Sequence, residues 1–315
     1  MENKIAFFTE NNFKGKVSRD QAGRTDTSWM VALDAAHFPL NQENFLSFDL
    51  GIIIVPKKNS LQAFYFFEKH RKICKKWAVM QEADQISWQR FSITDQINYL
   101  NLLNEVDLLL VHNEIDLVYF KGLIPHKNVA VFPSLMIEDS IPVEAKKPPQ
   151  KRSSCIIGGT WTDWYSGQDS FMIAQEFGES IYAPSMGRKQ PEEDAIEGLK
   201  YLPYMNWSEW MLTINQCKYG VHLMRTFAAG TFPLNLARLK IPCLGWNGTD
   251  TQKILFPELS PPEGDMVQAR KIAKHLKENQ LFYDHCAEYA FAKYNEIYSE
   301  KIFIEKFNAI INQLK

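Results

Sequence analysis

The sequence predicts an α/β protein with two parallel-sheet halves. Three observations carry that expectation. Short apolar runs with polar exits alternate along the chain with segments of helical composition, the pattern of a parallel sheet covered on both faces. The alternation is interrupted once, by a stretch rich in proline and lysine, and then restarts. The 315 residues are 45% hydrophobic, enough for each half to bury a core of its own.

The elements follow in order. Lys4-Ile5-Ala6-Phe7-Phe8-Thr9 reads as a buried first strand, and a polar loop spans 10–23. Thr25 or Asp26 caps a helix expected to reach Ala36. Strands at 49–56, 76–80, 107–112 and 129–133 are separated by helices at 61–72, 95–104 and 113–122. Residues 138–152 hold Pro142, Pro148 and Pro149 among charged residues without periodicity, the composition of a linker. Beyond it, strands at 154–159, 180–183, 219–223 and 241–245 alternate with helices at 169–177, 207–216 and 231–240. Met266, Ala269, Ile272, Ala273 and Leu276 mark a helix, as do Phe303, Phe307, Ile310, Ile311 and Leu314 at the end.

Composition excludes several classes. The formal net charge of −2 shows no basic excess of the kind nucleic-acid binding selects. The five cysteines form no C-x-x-C pair, so reduced thiols are expected rather than a disulfide frame or a zinc site. Cys155 and Cys243 sit in apolar runs and read as inert core residues. The first ten residues lack the pattern of a signal peptide, and no apolar run approaches the ~20 residues of a membrane span. With no paired Asp-x-Asp and no His/Cys ligand spacing, neither metal nor cofactor is expected.

Ligands of open α/β sheets collect beyond the carboxyl ends of the strands, so residues at strand exits are the candidates. Gly158-Gly159-Thr160 leaves the first strand of the second half; glycines there admit a ligand to the backbone, or simply make a tight turn. The stretch matches neither G-x-G-x-x-G nor a Walker loop. Residues 225–231 run into a helix whose N-terminus offers free N–H groups to an anion. Gly230 would clear space for a phosphate and Arg225 would supply a bidentate charge. A capped helix beside a solvated arginine accounts for the same residues. Glu82, just past strand 76–80, is placed for a general base, with Asp26, Asp84 and His37 as rivals. Arg24 and Arg188 follow glycines in loops, where they meet either phosphate or solvent, and Thr249 or Asp250 is placed for a sugar contact.

These segments resemble GT-B nucleotide-sugar glycosyltransferases over nearly the whole chain. The likeness rests on Cys155-Ile156-Ile157-Gly158-Gly159-Thr160, on Tyr201-Leu202-Pro203 ahead of Trp207, on 222–230, on Asn235 and on Pro242-Cys243-Leu244. Gly23-Arg24-Thr25-Asp26-Thr27-Ser28-Trp29-Met30 and Ala228-Ala229-Gly230-Thr231-Phe232 resemble glycosyltransferases encoded by tailed phages. Gly158-Gly159-Thr160 meeting Ser166-Gly167-Gln168 is distantly similar to the DNA β-glucosyltransferases of T-even phages.

The resemblance implies two Rossmann-like domains facing a central cleft, with the C-terminal helix crossing back to the first. Residues 1–145 would be the acceptor-side domain, 146–295 the nucleotide-sugar domain, and 296–315 the returning helix. It implies hexose transfer from a UDP-sugar co-substrate, independent of metal, in the cytoplasm (of the host cell, for a phage protein). The donor would meet Gly158, Gly159, Thr160, Arg188, Arg225, Gly230, Thr231 and Asn235. Glu82 and Asp26 would be catalytic, and Arg24 and Lys16 would face the acceptor. The chain departs from the pattern of two glutamates with seven residues between them: Phe227 and Asn235 stand there.

Two acceptors follow. A hydroxymethylated pyrimidine in DNA would use a basic rim from Lys14, Lys16, Arg19 and Arg24, or from Lys57, Lys58, Lys69, Arg71, Lys72, Lys75 and Lys76. A glycan or lipid-linked acceptor would favour an exposed amphipathic face; Phe64-Tyr65-Phe66-Phe67 offers one, although a buried helix is the better reading of that stretch. A nucleotide-sugar-binding protein without turnover and a sugar-nucleotide epimerase of the same architecture are the alternatives.

Overall fold

The computed structural model describes residues 4–56, 59–82, 84–162, 164–185 and 189–314. The chain divides into two compact units, Met1–Ser134 with Phe303–Lys315, and Leu135–Ile302.

The first unit runs β1 (Ile5–Thr9), α1 (Thr25–Ala32), β2 (Ala36–Pro39), β3 (Phe48–Ile54), α2 (Ser60–His70), β4 (Cys74–Met80), α3 (Gln85–Gln89), α4 (Ile93–Glu105), β5 (Leu108–Val111), α5 (Glu114–Leu123) and β6 (Asn128–Val131). Its six strands are all parallel, in the order β2-β1-β3-β4-β5-β6. The apolar runs Ile5–Phe8 of β1, Trp77–Met80 of β4 and Leu108–Val111 of β5 are what a sheet covered on both faces demands. Asn59 and Ser92 cap α2 and α4 by accepting from Gln62 N and Asp95 N, each at 3.1 Å.

The second unit runs β7 (Ser153–Ile157), α6 (Gly167–Ala174), β8 (Ile181–Pro184), β9 (Leu199–Leu202), α7 (Trp207–Asn215), β10 (Cys217–His222), α8 (Thr231–Arg238), β11 (Cys243–Gly245), α9 (Asp250–Leu255), α10 (Met266–Glu278) and α11 (Gln280–Ile297). Its five strands are parallel in the order β11-β10-β7-β8-β9. The last helix is α12 (Glu300–Gln313). Within the first unit its Phe303 and Phe307 pack on Phe132, with ring centroids 4.4 and 5.5 Å apart.

Two expectations need correction. The helix expected to reach Ala36 stops at Ala32, and Asp34 turns the chain at φ 47° into the edge strand β2. Residues 138–152 are no free linker. Ile141 and Ala145 are buried in the second unit, and Arg238 grips Glu138 through two bonds of 2.7 and 2.9 Å. Tyr294 donates a third bond to Glu138 at 2.9 Å. Burial alone would raise the Glu138 pKa, but the Arg238 hydrogen bonds and charge hold it below the usual carboxylate range. Arg152 gives Nε to the Asn215 carbonyl (3.1 Å), Nη1 to the Lys240 carbonyl (2.9 Å), and Nη2 to Asn215 Oδ1 (2.9 Å) and the Leu239 carbonyl (2.6 Å). That fork closes the carbonyl ends of α7 and α8. The Phe64–Phe67 stretch is the buried helix the sequence favoured: Phe66 and Phe67 are buried and Phe64 packs on the core, while Tyr65 is exposed.

The five cysteines are free and buried. Burial pushes the thiols of Cys74 and Cys286 up to about 12. Among the described residues no helix is long and apolar enough to cross a membrane.

Candidate functional site

In the second sheet the chain moves from β7 outward to β8 and β9, then returns to add β10 on the other side of β7. Connections leaving β7 and β10 therefore run to opposite sides, and this pair is the switch point beyond whose carboxyl ends open α/β sheets take ligands. The two loops there are 158–166 and 223–230, leading into α6 and α8. They are tied together: Leu223 N donates to Ser170 Oγ at 3.0 Å, and Arg225 Nη2 pairs with Asp169 Oδ2 at 2.8 Å. Arg225 stays half-exposed, whereas Asp169 in the first turn of α6 is mostly covered.

The glycines of these loops answer internal packing. A Cβ on Gly158 would lie 2.0 Å from His222 Nδ1, and one on Gly159 would lie 2.5 Å from the Tyr165 ring. Gly230 has φ +76°, and a Cβ there would lie 1.5 Å from Thr251 Oγ1. The expectation that Gly230 clears space for a phosphate is thus corrected: the space its missing side chain leaves belongs to Thr251. Thr251 Oγ1 and His222 Nδ1 are both buried without a hydrogen-bond partner. Burial pushes the His222 pKa down to about 4, so the ring is neutral at physiological pH.

Other expected donor residues divide. Thr160 is buried, with Oγ1 3.4 Å from Thr162 Oγ1. Thr231 opens α8. Asn235 is buried; oriented to satisfy both ends, its amide donates to the Thr231 carbonyl and accepts from the Trp210 indole, each at 3.0 Å. Asn235 thus bonds within the second unit, to Thr231 at the start of α8 and Trp210 of α7. Arg188 lies outside the described residues. Asp250 opens α9 and pairs with Lys253 at 2.8 Å. Glu193, which sequence reasoning did not single out, is buried and accepts from Trp161 N (3.1 Å), Gln190 N (2.9 Å) and the Tyr201 hydroxyl. It fastens the start of the β7 loop.

In the first unit the structure brings three candidates together. Arg24, at the head of α1, reaches Asp26 Oδ1 at 3.3 Å and Glu82 Oε1 at 3.9 Å. Glu82 lies just past β4, and its side chain is 36% exposed, so its carboxylate remains within reach of solvent. The rivals have other duties. Asp84 caps α3 by accepting from Ser87 N at 2.8 Å. His37 is buried, its Nδ1 donating to the Phe13 carbonyl and its Nε2 accepting from the Thr9 hydroxyl, both at 2.8 Å. Burial lowers its pKa, and the Phe13 bond and Asp26 charge only partly oppose that. His112 beyond β5 is buried too, and burial pushes its pKa down to about 4.

Lys16 sits apart from this cluster, paired with Asp34 at 2.5 Å. Four members of the second basic region are paired with acids: Lys69 with Glu43, Arg71 with Glu105, Lys75 with Asp49 and Lys76 with Asp107. Lys57 and Lys58 lie outside the described residues. Among the described residues no group of three or more His, Cys, Asp or Glu side chains is disposed to hold a metal ion.

No protein-family model matches the chain, and no curated protein matches its sequence. Solved structures match its fold. The sucrose-phosphate synthase of Thermosynechococcus elongatus superposes with a TM-score of 0.74 at 8% identity, covering 99% of both chains. HepE of Anabaena, solved with UDP and glucose, gives 0.68 at 11% identity, covering 99% of this chain and 100% of that one. The pneumococcal O-GlcNAc transferase GtfA, solved with UDP and GlcNAc, gives 0.60 at 12% identity, covering 91% of this chain and 59% of its own. These likenesses, with two parallel sheets of six and five strands, define the chain's architecture as the two-domain GT-B fold.

Proposed function

We propose that the chain is a glycosyltransferase taking its donor from a UDP-sugar. The observation that carries this reading is the β7/β10 switch point, where Arg225, in the loop leading to α8, pairs with Asp169 at the start of α6. Anions are favoured there by the N-terminus of α8 and by a guanidinium with exposed donors. Structures of the same fold are solved with UDP and with UDP-glucose, which supports a uridine nucleotide here. Arg225 holds the diphosphate as negative charge grows on it during departure. Glu82, beside Arg24, takes the proton of the acceptor hydroxyl as its oxygen bonds to the sugar carbon and the bond to the diphosphate breaks.

The acid-matched lysines favour a neutral acceptor, a saccharide hydroxyl, over the phosphate-dense surface of DNA. A hydroxymethylated duplex belongs in the acceptor panel as the opposing case.

The test is a thermal-shift panel of nucleotides and nucleotide-sugars, followed by transfer assays. A ligand at a hundred times its dissociation constant stabilises by roughly 2.7 kcal/mol. UDP and a UDP-hexose are expected to respond, and Arg225→Ala to weaken both. Glu82→Gln is expected to keep donor binding and lose about a hundredfold or more in transfer. A panel in which nothing moves the melting temperature ends the donor-site reading.

A further inference from the structure

The charge at the switch point has a second half. Asp169 sits three residues past Ser166, the cap of α6, and its Oδ2 lies 2.8 Å from Arg225 Nη2. Its side chain is 21% exposed, against 55% for Arg225. The neighbouring Ser170 hydroxyl is bonded by Leu223 N, so the first turn of α6 is fixed against the exit of β10. The carboxylate is therefore held in place beside the guanidinium rather than sampling solvent. A buried hydroxyl without a partner, Thr251 Oγ1, lies against Gly230 at the head of α8, which follows β10 at the same carboxyl end of the sheet.

This arrangement bears on any diphosphate that Arg225 holds. Asp169 offsets part of the guanidinium charge, so each further negative charge brought close is repelled by the carboxylate as well as drawn by the cation. A nucleoside diphosphate esterified to a sugar has one ionised oxygen per phosphate. Released from the sugar, the terminal phosphate gains a second ionisation with a pKa of about 6 and carries an additional charge above neutral pH. A unit charge about 6 Å away, in a dielectric of roughly 40 to 80, is disfavoured by a factor of roughly three to ten.

Resting on the donor-site reading above, we infer that Asp169 is a specificity-determining residue. It biases the site toward the sugar-bearing nucleoside diphosphate and against the free one. The same residue thereby favours loss of the product once the sugar has left.

Calorimetric titration of the full chain with UDP and with UDP-glucose, at pH 7.5 and low salt, tests this. In Asp169→Asn the affinity for UDP is expected to rise more than that for UDP-glucose, so that the ratio of the two dissociation constants shifts by roughly three- to tenfold toward UDP. Asp169→Ala carries the same expectation should the Asn variant misfold. At pH 5.5, where the terminal phosphate takes up a proton, the preference of the wild type is expected to shrink. A role confined to holding α6 in place would change both affinities together. An unchanged ratio in both Asp169 variants, with Arg225→Ala still weakening both ligands, overturns the inference and leaves the donor site standing. Undiminished binding in Arg225→Ala removes the donor site, and the inference with it.

Discussion

Gly230→Ala separates a packing role from a ligand role at the head of α8. The backbone there has φ +76°, where an L side chain costs about 1–2 kcal/mol. The new Cβ would also lie 1.5 Å from Thr251 Oγ1 and 2.5 Å from Thr251 Cβ, so α8 and α9 must move apart. Overpacking of this kind costs about 1–3 kcal/mol. Against this, alanine narrows the unfolded ensemble and returns at most about 1 kcal/mol. The net expectation is a loss near 3 kcal/mol. Thr251→Ala removes both branches of the neighbour, including a hydroxyl buried without a partner, so by itself it is expected to change stability little. In that background Gly230→Ala should lose roughly 1 kcal/mol or more of its cost, leaving the left-handed penalty and the residual Cβ contact. Urea unfolding gives the four corners of the cycle, and amide exchange in α8 assigns the loss to the second unit. A cost below about 1 kcal/mol in the wild type, or an equal cost in both backgrounds, would refute the packing account.

Two further predictions concern stability. Burial holds His112 and His222 at pKa values of about 4, so below about 6.5 the unfolded chain takes up protons that the folded chain refuses. Stability should therefore fall as pH drops from about 6.5 to 4, by at most roughly 3 kcal/mol per ring, and His112→Gln should flatten the dependence; a level melting temperature across that window contradicts the assignment. Arg152→Lys keeps the charge but loses the fork that closes α7 and α8, with an expected cost of about 2–4 kcal/mol in urea unfolding; a variant as stable as the wild type would show that the four bonds contribute nothing.

The residue pattern alone determined the α/β alternation and its parallel character. Runs such as Ile5–Thr9 and Leu108–Val111 are buried throughout, and no half-exposed sheet would tolerate them. Short edge strands escaped it. Ala36–Pro39 and Leu199–Leu202 are four residues long and partly exposed, too brief for a period to register. The position of Arg225 in a loop leading to a helix was legible because capping and glycine signals are local. Tertiary structure alone decided what Arg225 meets. Asp169 lies 56 residues away in sequence and arrives only because β10 is laid beside β7 after two intervening strands. The same holds for Arg24 with Glu82 and for Gly230 with Thr251. Periodicity and capping are set by neighbours in the chain, whereas the partner of a charge or the filler of a missing side chain is set by strand order, which one sequence does not specify.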